Sequence, residues 1–214
     1  MKTKILKHHG SFDSLYYLLC GLFDKIKDHR DENASYALSD LLKMGFAMFS
    51  LKSPSLLNFV GRTKAEDSNL GSIYKIGALA SENGLRKGLD RVSPDGLRVG
   101  FQLLWKRIKG LGILERYRYL GRYLTVSIDG VEHFCSGSIH CDHCLARKKK
   151  NGRKDYHHAM LSAVLVHPTE KEVFVMDNEP IVRQDGTGKN DCERNAAGRL
   201  LGRMQGGHGD VYFS

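Results

Sequence analysis

Cysteine and histidine are concentrated in one short segment of the chain. Five of the ten histidines and three of the five cysteines lie within a window of 26 residues. They are His133, Cys135, His140, Cys141, His143, Cys144, His157 and His158. A Cys-x-x-Cys pair can fill two tetrahedral positions on zinc through a tight turn, and nearby imidazoles can complete the site. The segment therefore predicts a zinc site.

Cys141 and Cys144 are the first candidates as zinc ligands because they form the Cys-x-x-Cys pair, and His158 and His140 come next. Two other interpretations remain open. The thiols could lie unligated in a reduced surface loop, or the pair could be redox-active. A redox pair is disfavoured because no thioredoxin-like βαβ pattern surrounds it.

A dense run of cations follows the Cys-x-x-Cys pair directly. Five of these cations are candidate DNA-binding residues: Lys148, Lys149, Lys150, Arg153 and Lys154. A second basic stretch, 106–122, is interleaved with tyrosines, of which Tyr117 and Tyr119 are two. Such runs often form only a solvated loop, but cations beside aromatic rings are also typical of surfaces that follow a phosphate backbone. Contacts of this kind do not read a base sequence.

Asp129 is the candidate catalytic residue and Mg²⁺ ligand. It closes the β-rich run YLTVSID and precedes Gly130, so we expect its carboxylate at the rim of a sheet. The alternative is an ordinary Asp-Gly turn. A single carboxylate cannot position the two metal ions used in phosphoryl transfer, because each ion must hold an attacking or a leaving oxygen.

The composition predicts a soluble intracellular protein that binds polyanions. The 214 residues include 33 lysines and arginines against 24 aspartates and glutamates, which gives a formal charge of +9. Five cysteines, an odd number, do not suit a secreted disulfide scaffold. No apolar run reaches the roughly 18 residues needed to cross a bilayer, and the start MKTKILKHHGSFD is too polar for a signal peptide. We therefore expect a cytoplasmic location and no membrane partner.

Hydrophobic periodicity divides the chain into two domains and predicts an α+β fold. Helical spacing of apolar residues extends over 1–120, with start signals at Ser53-Pro54 and Ser93-Pro94. In 121–214 the order changes to strand, insertion, strand, strand and helix, and the insertion is the Cys/His-rich basic segment 131–158. A turn at HPTEK makes the last two strands a hairpin. Asn190 and Glu193 have the spacing of a capping box at the start of the last helix.

Four segments resemble the N-terminal portion of DDE-type transposases of insertion sequences, which belong to the ribonuclease H-like superfamily. They are SLKSPSLLNF, SIDGVEHFCSGSIHCDHCL, NGRKDYHHAMLSAVLVHPTEKEV and EPIVRQDGTGKNDCERNAAGRLL. The resemblance implies a helical DNA-binding or dimerisation domain followed by the first half of a ribonuclease H-like domain. It also implies three acidic residues that bind Mg²⁺, cleave the element ends and join them to target DNA.

Only Asp129 matches one of those three acidic residues. The family's second and third acidic residues have no counterpart in this sequence, since Asp210 precedes apolar residues instead of ending a strand. The expectation is a truncated or frameshifted transposase, catalytically incomplete and associated with the nucleoid, whose partners are element ends and a second or full-length transposase chain. The alternatives are a non-catalytic, zinc-stapled DNA-binding protein and an inhibitor of a full-length transposase.

Overall fold

The computed structural model describes residues 9–63, 67–182 and 192–207. The chain divides into two compact units, one up to Gly100 and one from Phe101 onward. Helices come first and an antiparallel sheet follows, so the predicted α+β class is confirmed. The division lies inside a helix and not near residue 120, because Trp105 and Ile108 of that helix belong to the hydrophobic core of the second unit.

Short helices build the first unit. They are α1 (Phe12–Phe23), α2 (Leu38–Ser50), α3 (Leu56–Thr63), α4 (Asp67–Tyr74), α5 (Glu82–Leu89) and α6 (Pro94–Gly110), the last of which extends into the second unit. Helix α1 begins after Ser11, whose hydroxyl accepts a hydrogen bond from the backbone N–H of Ser14. Helix α6 begins at Pro94 as predicted. The cap of α3 is Ser55 and not Ser53, since the Ser55 hydroxyl accepts from the N–H of Asn58.

The core of the first unit centres on α2. Leu41, Met44 and Ala47 lie on one face of this helix and are fully buried. On the same helix, Asp40 is buried but satisfied, because its carboxylate accepts hydrogen bonds from the backbone N–H groups of Gly77 and Ala78, each at 3.0 Å. A polar side chain thus fixes the loop between α4 and α5 against the core.

The second unit is a sheet arranged around one central strand. After a 3₁₀ turn (Ile113–Tyr117), its strands are β1 (Arg118–Tyr119), β2 (Tyr123–Ser136), β3 (Leu145–Lys148), β4 (Lys154–Val166) and β5 (Phe174–Ile181). Every pairing is antiparallel, and β4 pairs with β2, β3 and β5. Because β2 occupies one edge of β4, strands β3 and β5 share the other edge. The predicted hairpin at HPTEK is confirmed as β4–β5.

The predicted insertion 131–158 is largely a continuation of the sheet. Strand β2 continues past Asp129 and Gly130 to Ser136, and β4 begins at Lys154. The prediction that Asp129 ends a strand is therefore wrong, as is the alternative of an Asp-Gly turn. Backbone pairing with β4 outweighs the turn preference of the dipeptide, because Asp129 and Gly130 are paired with Ser162 and Leu161.

Helix α7 (Glu193–Gly207) packs on β4 and β5 and closes the core of the second unit. Its residues Ala196, Leu200 and Met204 are fully buried against this sheet. The helix predicted from the capping-box spacing is present from Glu193, while Asn190 lies outside the described residues. A Cβ on Gly130 would come within 2.7 Å of Glu193 Oε1, so a larger residue at this position would displace the end of the Glu193 side chain.

Two buried acids of β5 face α7. Arg199 Nε lies 2.6 Å from Glu179 Oε1, and Arg203 bridges Glu179 and Asp177 at 2.6 and 3.1 Å. Glu179 opens the segment EPIVRQDGTGKNDCERNAAGRLL, one of the four on which the expected resemblance to transposases rests. These contacts assign Glu179 a role in stability, because two guanidinium groups compensate for the burial of its carboxylate.

Substituting Glu179→Gln should lower the free energy of unfolding by about 1.5–3 kcal/mol, because a hydrogen bond to a charged group contributes roughly that amount. Urea denaturation of the purified chain measures the loss. The control is Glu132→Gln, which removes an exposed ion pair with Arg147 and should cost less than about 1 kcal/mol. Equal losses for the two variants would contradict the structural part assigned to Glu179.

Candidate metal centre

The Cys-x-x-Cys turn and one histidine of β4 converge at a single point. Cys144 directly precedes β3, whose register sets Leu145 opposite His157 and so brings Cys144 level with His158. The distance between Cys141 Sγ and Cys144 Sγ is 3.7 Å. His158 Nε2 lies 3.4 Å from Cys141 Sγ and 3.2 Å from Cys144 Sγ. Pairing of β3 with β4 thus unites residues 14 positions apart in the chain.

These distances fit a tetrahedral metal. With Zn–S bonds of about 2.3 Å and Zn–N bonds of about 2.0 Å, tetrahedral angles place two sulfurs about 3.8 Å apart and a sulfur and a nitrogen about 3.5 Å apart. The three observed distances are within a few tenths of an ångström of those values. Cys141, Cys144 and His158 therefore form a group that could bind a metal such as zinc.

Burial favours the ligand form of the histidine. Burial lowers the pKa of His158 below its usual value, and the neighbouring His133 and His143 act in the same direction. The imidazole is therefore kept neutral, with a lone pair on the nitrogen that a metal requires. Cys144 is 1% exposed and its sulfur also accepts a hydrogen bond from the Cys141 N–H, whereas Cys141 is exposed. The site is thus shielded from solvent at Cys144 and accessible to an entering metal ion at Cys141.

The remaining cysteines and histidines of the segment lie outside this group. The ring of His140, a predicted zinc ligand, stacks on Tyr156 with centroids 4.2 Å apart. His133 sits at a β-bulge of β2 and stacks on His158 at 5.9 Å. Among the residues that the structure describes, Cys141, Cys144 and His158 are the one group of three whose ligand atoms lie within 4.8 Å of one another.

The predicted basic loop is the tip of the β3–β4 hairpin. Lys148 pairs with Lys154 across the two strands, and the turn is closed by a hydrogen bond from Lys149 N–H to the Arg153 carbonyl. Gly152 takes a positive φ of 81° there, a conformation that glycine adopts without strain. The hairpin thus carries its cations on an ordered turn immediately beyond the metal centre.

In the part of the chain that the structure describes, four of the five predicted DNA-binding side chains are exposed and form no ion pair. Lys149 differs, because its Nζ lies 2.8 Å from a carboxylate oxygen of the buried Asp155. Within the described ranges, no ion pair involves the other four, which we call the arm cations: Lys148, Lys150, Arg153 and Lys154. The alternation of β4 could have identified Asp155 as inward-facing, because it lies an even number of residues before the buried Leu161 and Ala163.

Three side chains of the second basic stretch have partners within the second unit. Tyr117 is buried, and its hydroxyl donates to the Glu172 carbonyl at 3.0 Å. Arg116 pairs with Glu170, and Arg118 forms two hydrogen bonds with Glu115. These contacts involve only part of the stretch, and its role in following a phosphate backbone stays a prediction.

Asp129 lies on the face of the sheet opposite α7. Across the strands it is level with Ser162 and Asn178, and the Ser162 hydroxyl donates to Asn178 Oδ1 at 2.6 Å. Because side chains alternate along a strand, His158 lies on the same face as Ser162, four residues or about 13 Å away. Asp129 belongs to no three-residue ligand group within the described part of the chain, so these side chains offer no two-ion Mg²⁺ site.

The face of the sheet opposite α7, which we call the open face, also bears partly exposed apolar side chains. Val131 and Val175 are each 46% exposed, on β2 and β5 respectively. The metal centre, Asp129 and these valines therefore share one accessible surface of the second unit.

Comparison with protein-family models, with curated proteins and with solved structures found no match to this chain. In the described residues, no helix has the length and apolar character needed to cross a bilayer. The molecule is thus defined by its α+β fold and by a Cys₂His group that could hold a metal.

Proposed function

We propose that this chain binds DNA through a zinc-stapled basic hairpin. The observation that carries the proposal is that three metal-ligand atoms converge where the hairpin leaves the sheet, with the arm cations exposed at its tip. An isolated hairpin with so few paired residues has only marginal stability in water. Zinc would join the turn at Cys141 and Cys144 to β4 through His158, and so hold the cations in a fixed arrangement.

We further propose that the chain is a portion of a DDE-type transposase with a ribonuclease H-like domain. The support is the motif resemblance together with the order of elements, since β2, β4 and β5 form an antiparallel meander that α7 follows. That order is the first half of the domain that the resemblance implies. Asp129 corresponds to the first acidic residue of the family by motif alone, since it lies within β2 and not at its end.

The proposal assigns DNA binding and not DNA cleavage to these 214 residues. Asp129 alone matches the family's acidic residues, and one carboxylate cannot hold two ions in line with a phosphodiester bond. Sequencing the genomic DNA beyond the codon for Ser214 and translating it in three frames shows whether the other two acidic residues are encoded nearby.

Substituting Asp129→Ala should leave DNA affinity unchanged and should change the free energy of unfolding by no more than about 0.5 kcal/mol, as for an exposed surface side chain. Incubation with Mg²⁺ and end-labelled duplex should show no cleavage by either protein. Mg²⁺-dependent cleavage that disappears in the variant would overturn the proposal of an inert chain.

The experiment that tests DNA binding is fluorescence anisotropy of a labelled 20-base-pair duplex titrated with the full chain. We expect micromolar binding with zinc present, and weaker binding after chelation because the hairpin loses its staple. Binding that is absent, or that is insensitive to salt, would contradict the proposal.

A second candidate function is the inhibition of a full-length transposase by pairing with it. The exposed valines of the open face favour this possibility, because apolar surface of this kind often marks a protein contact. Co-purification of the two chains tests it.

A further inference from the structure

The first unit contains a cationic groove, which is a second basic surface besides the β3–β4 hairpin. The sequence patterns do not indicate it. It is formed by two adjoining cavities of about 460 and 410 Å³. Both cavities are lined by His29, from the segment after α1, and by Arg91, which follows α5. The groove therefore extends along the surface and is larger than a single small anion requires.

Cations outnumber acids along this groove. Five of its lining side chains are positively charged, namely Lys25, Lys27, Arg30, Lys87 and Arg91. Two are negatively charged, Asp31 and Asp90. Within residues 9–63 and 67–182, no ion pair involves Lys25, Lys27, Lys87 or Arg91. These four side chains are exposed, so their charges are available to a ligand.

One cation of the groove is held rigidly. Arg30 forms two hydrogen bonds with the Asp28 carboxylate, at 2.9 and 2.7 Å, and a third with the Tyr36 carbonyl at 2.8 Å. The same pair lowers the pKa of Asp28 to about 2, so this carboxylate stays ionised and keeps holding the guanidinium at neutral pH. These hydrogen bonds hold the Arg30 guanidinium beside the groove.

The groove also includes the start of α6. Ser93 and Gly96 line one cavity, and Gly96 lies close to Ile26 of the opposite wall. Since the N-terminus of a helix carries a partial positive charge, this end of a 17-residue helix adds to the attraction for anions. Helix terminus and lysines thus act on the same cavity.

We propose that this groove binds the phosphodiester backbone of DNA, as a contact surface separate from the zinc-stapled hairpin. The proposal rests on the proposed function only in taking DNA as the source of the phosphates. An extended track of exposed lysines with an anchored arginine suits successive phosphates along a strand and offers no base-specific contact.

The test is anisotropy of a 20-base-pair duplex with the full chain at several NaCl concentrations. The variant Lys87→Gln/Arg91→Gln should weaken binding about tenfold or more and reduce the slope of log affinity against log salt by about 2, since each phosphate contact contributes about 0.9. The control Lys52→Gln/Arg86→Gln removes the same charge from the same unit outside the groove. Its salt slope should stay near that of the unmodified chain.

The outcomes distinguish the groove from the β3–β4 hairpin as DNA-binding surfaces. If the groove variant matches the control while a hairpin variant loses affinity, the groove proposal is wrong and the proposed function stands. If the groove variant alone loses affinity, the groove is supported and the hairpin is not. Absence of binding by the unmodified chain overturns both. Should Lys87→Gln/Arg91→Gln fail to fold, Lys25→Gln/Lys27→Gln probes the opposite wall with the same expected change.

Discussion

Substituting Cys144→Ser should abolish tight zinc binding by this protein. The unmodified chain is expected to bind one Zn²⁺, and the variant to lose at least about 100-fold in affinity, because a buried thiolate ligand is replaced by a poor one. Competition with a chromophoric chelator measures the affinity. With free zinc at 1,000 times the dissociation constant, the bound metal adds about 4 kcal/mol to folding stability, so chelation should lower the melting temperature markedly.

The matched control is Cys135→Ser, which removes an exposed thiol of the same segment that lies outside the ligand group. It should retain zinc affinity and melt like the unmodified protein. Chelated unmodified protein and zinc-treated Cys144→Ser should melt alike. An unchanged melting temperature on chelation, or equal loss of zinc by the two variants, would show that the cluster does not bind zinc.

Replacing the four arm cations together with glutamine should weaken DNA binding by at least about 100-fold at 50 mM salt. Neutralised phosphates release counterions, and each contributes about 0.9 to the slope of log affinity against log salt, so the slope should fall by about 3.6. Anisotropy of the labelled 20-base-pair duplex between 50 and 200 mM NaCl gives both quantities. Melting with zinc should change little, because these side chains are exposed and unpaired in the described chain.

A control of equal charge, Lys52→Gln/Lys75→Gln/Arg86→Gln/Lys171→Gln, tests whether net charge alone accounts for the loss. These side chains lie outside the hairpin, so the slope should change by less than about 1. A comparable loss in both quadruple variants would mean that the chain attracts DNA through its overall charge of +9 and not through the hairpin.

The elements that sequence reasoning identified are those whose pattern is local. The helical period of α1, the start of α6 at Ser93-Pro94 and the β4–β5 hairpin at HPTEK were each readable because neighbouring residues determine them. The Cys-x-x-Cys pair is likewise local, since its spacing by itself closes a metal-binding turn.

The sequence predicts the third metal ligand less sharply, because the position of this residue depends on strand register. His140 and His158 were both candidates, and only pairing of β3 with β4 brings His158 level with Cys144. In contrast, stacking on Tyr156 holds His140 elsewhere. No pattern within a few residues encodes that choice, since it is settled by pairing between segments 14 residues apart.

The amino-acid sequence by itself determined the α+β class, the candidate thiol ligands and the position of the cations along the chain. Tertiary structure decided that Asp129 lies within a strand, that Lys149 is neutralised by Asp155, and that separate segments after α1 and α5 form one cationic groove. The physical reason is that charge and spacing are properties of the chain, whereas burial, ion pairing and the meeting of distant side chains are set by the packing of the whole unit.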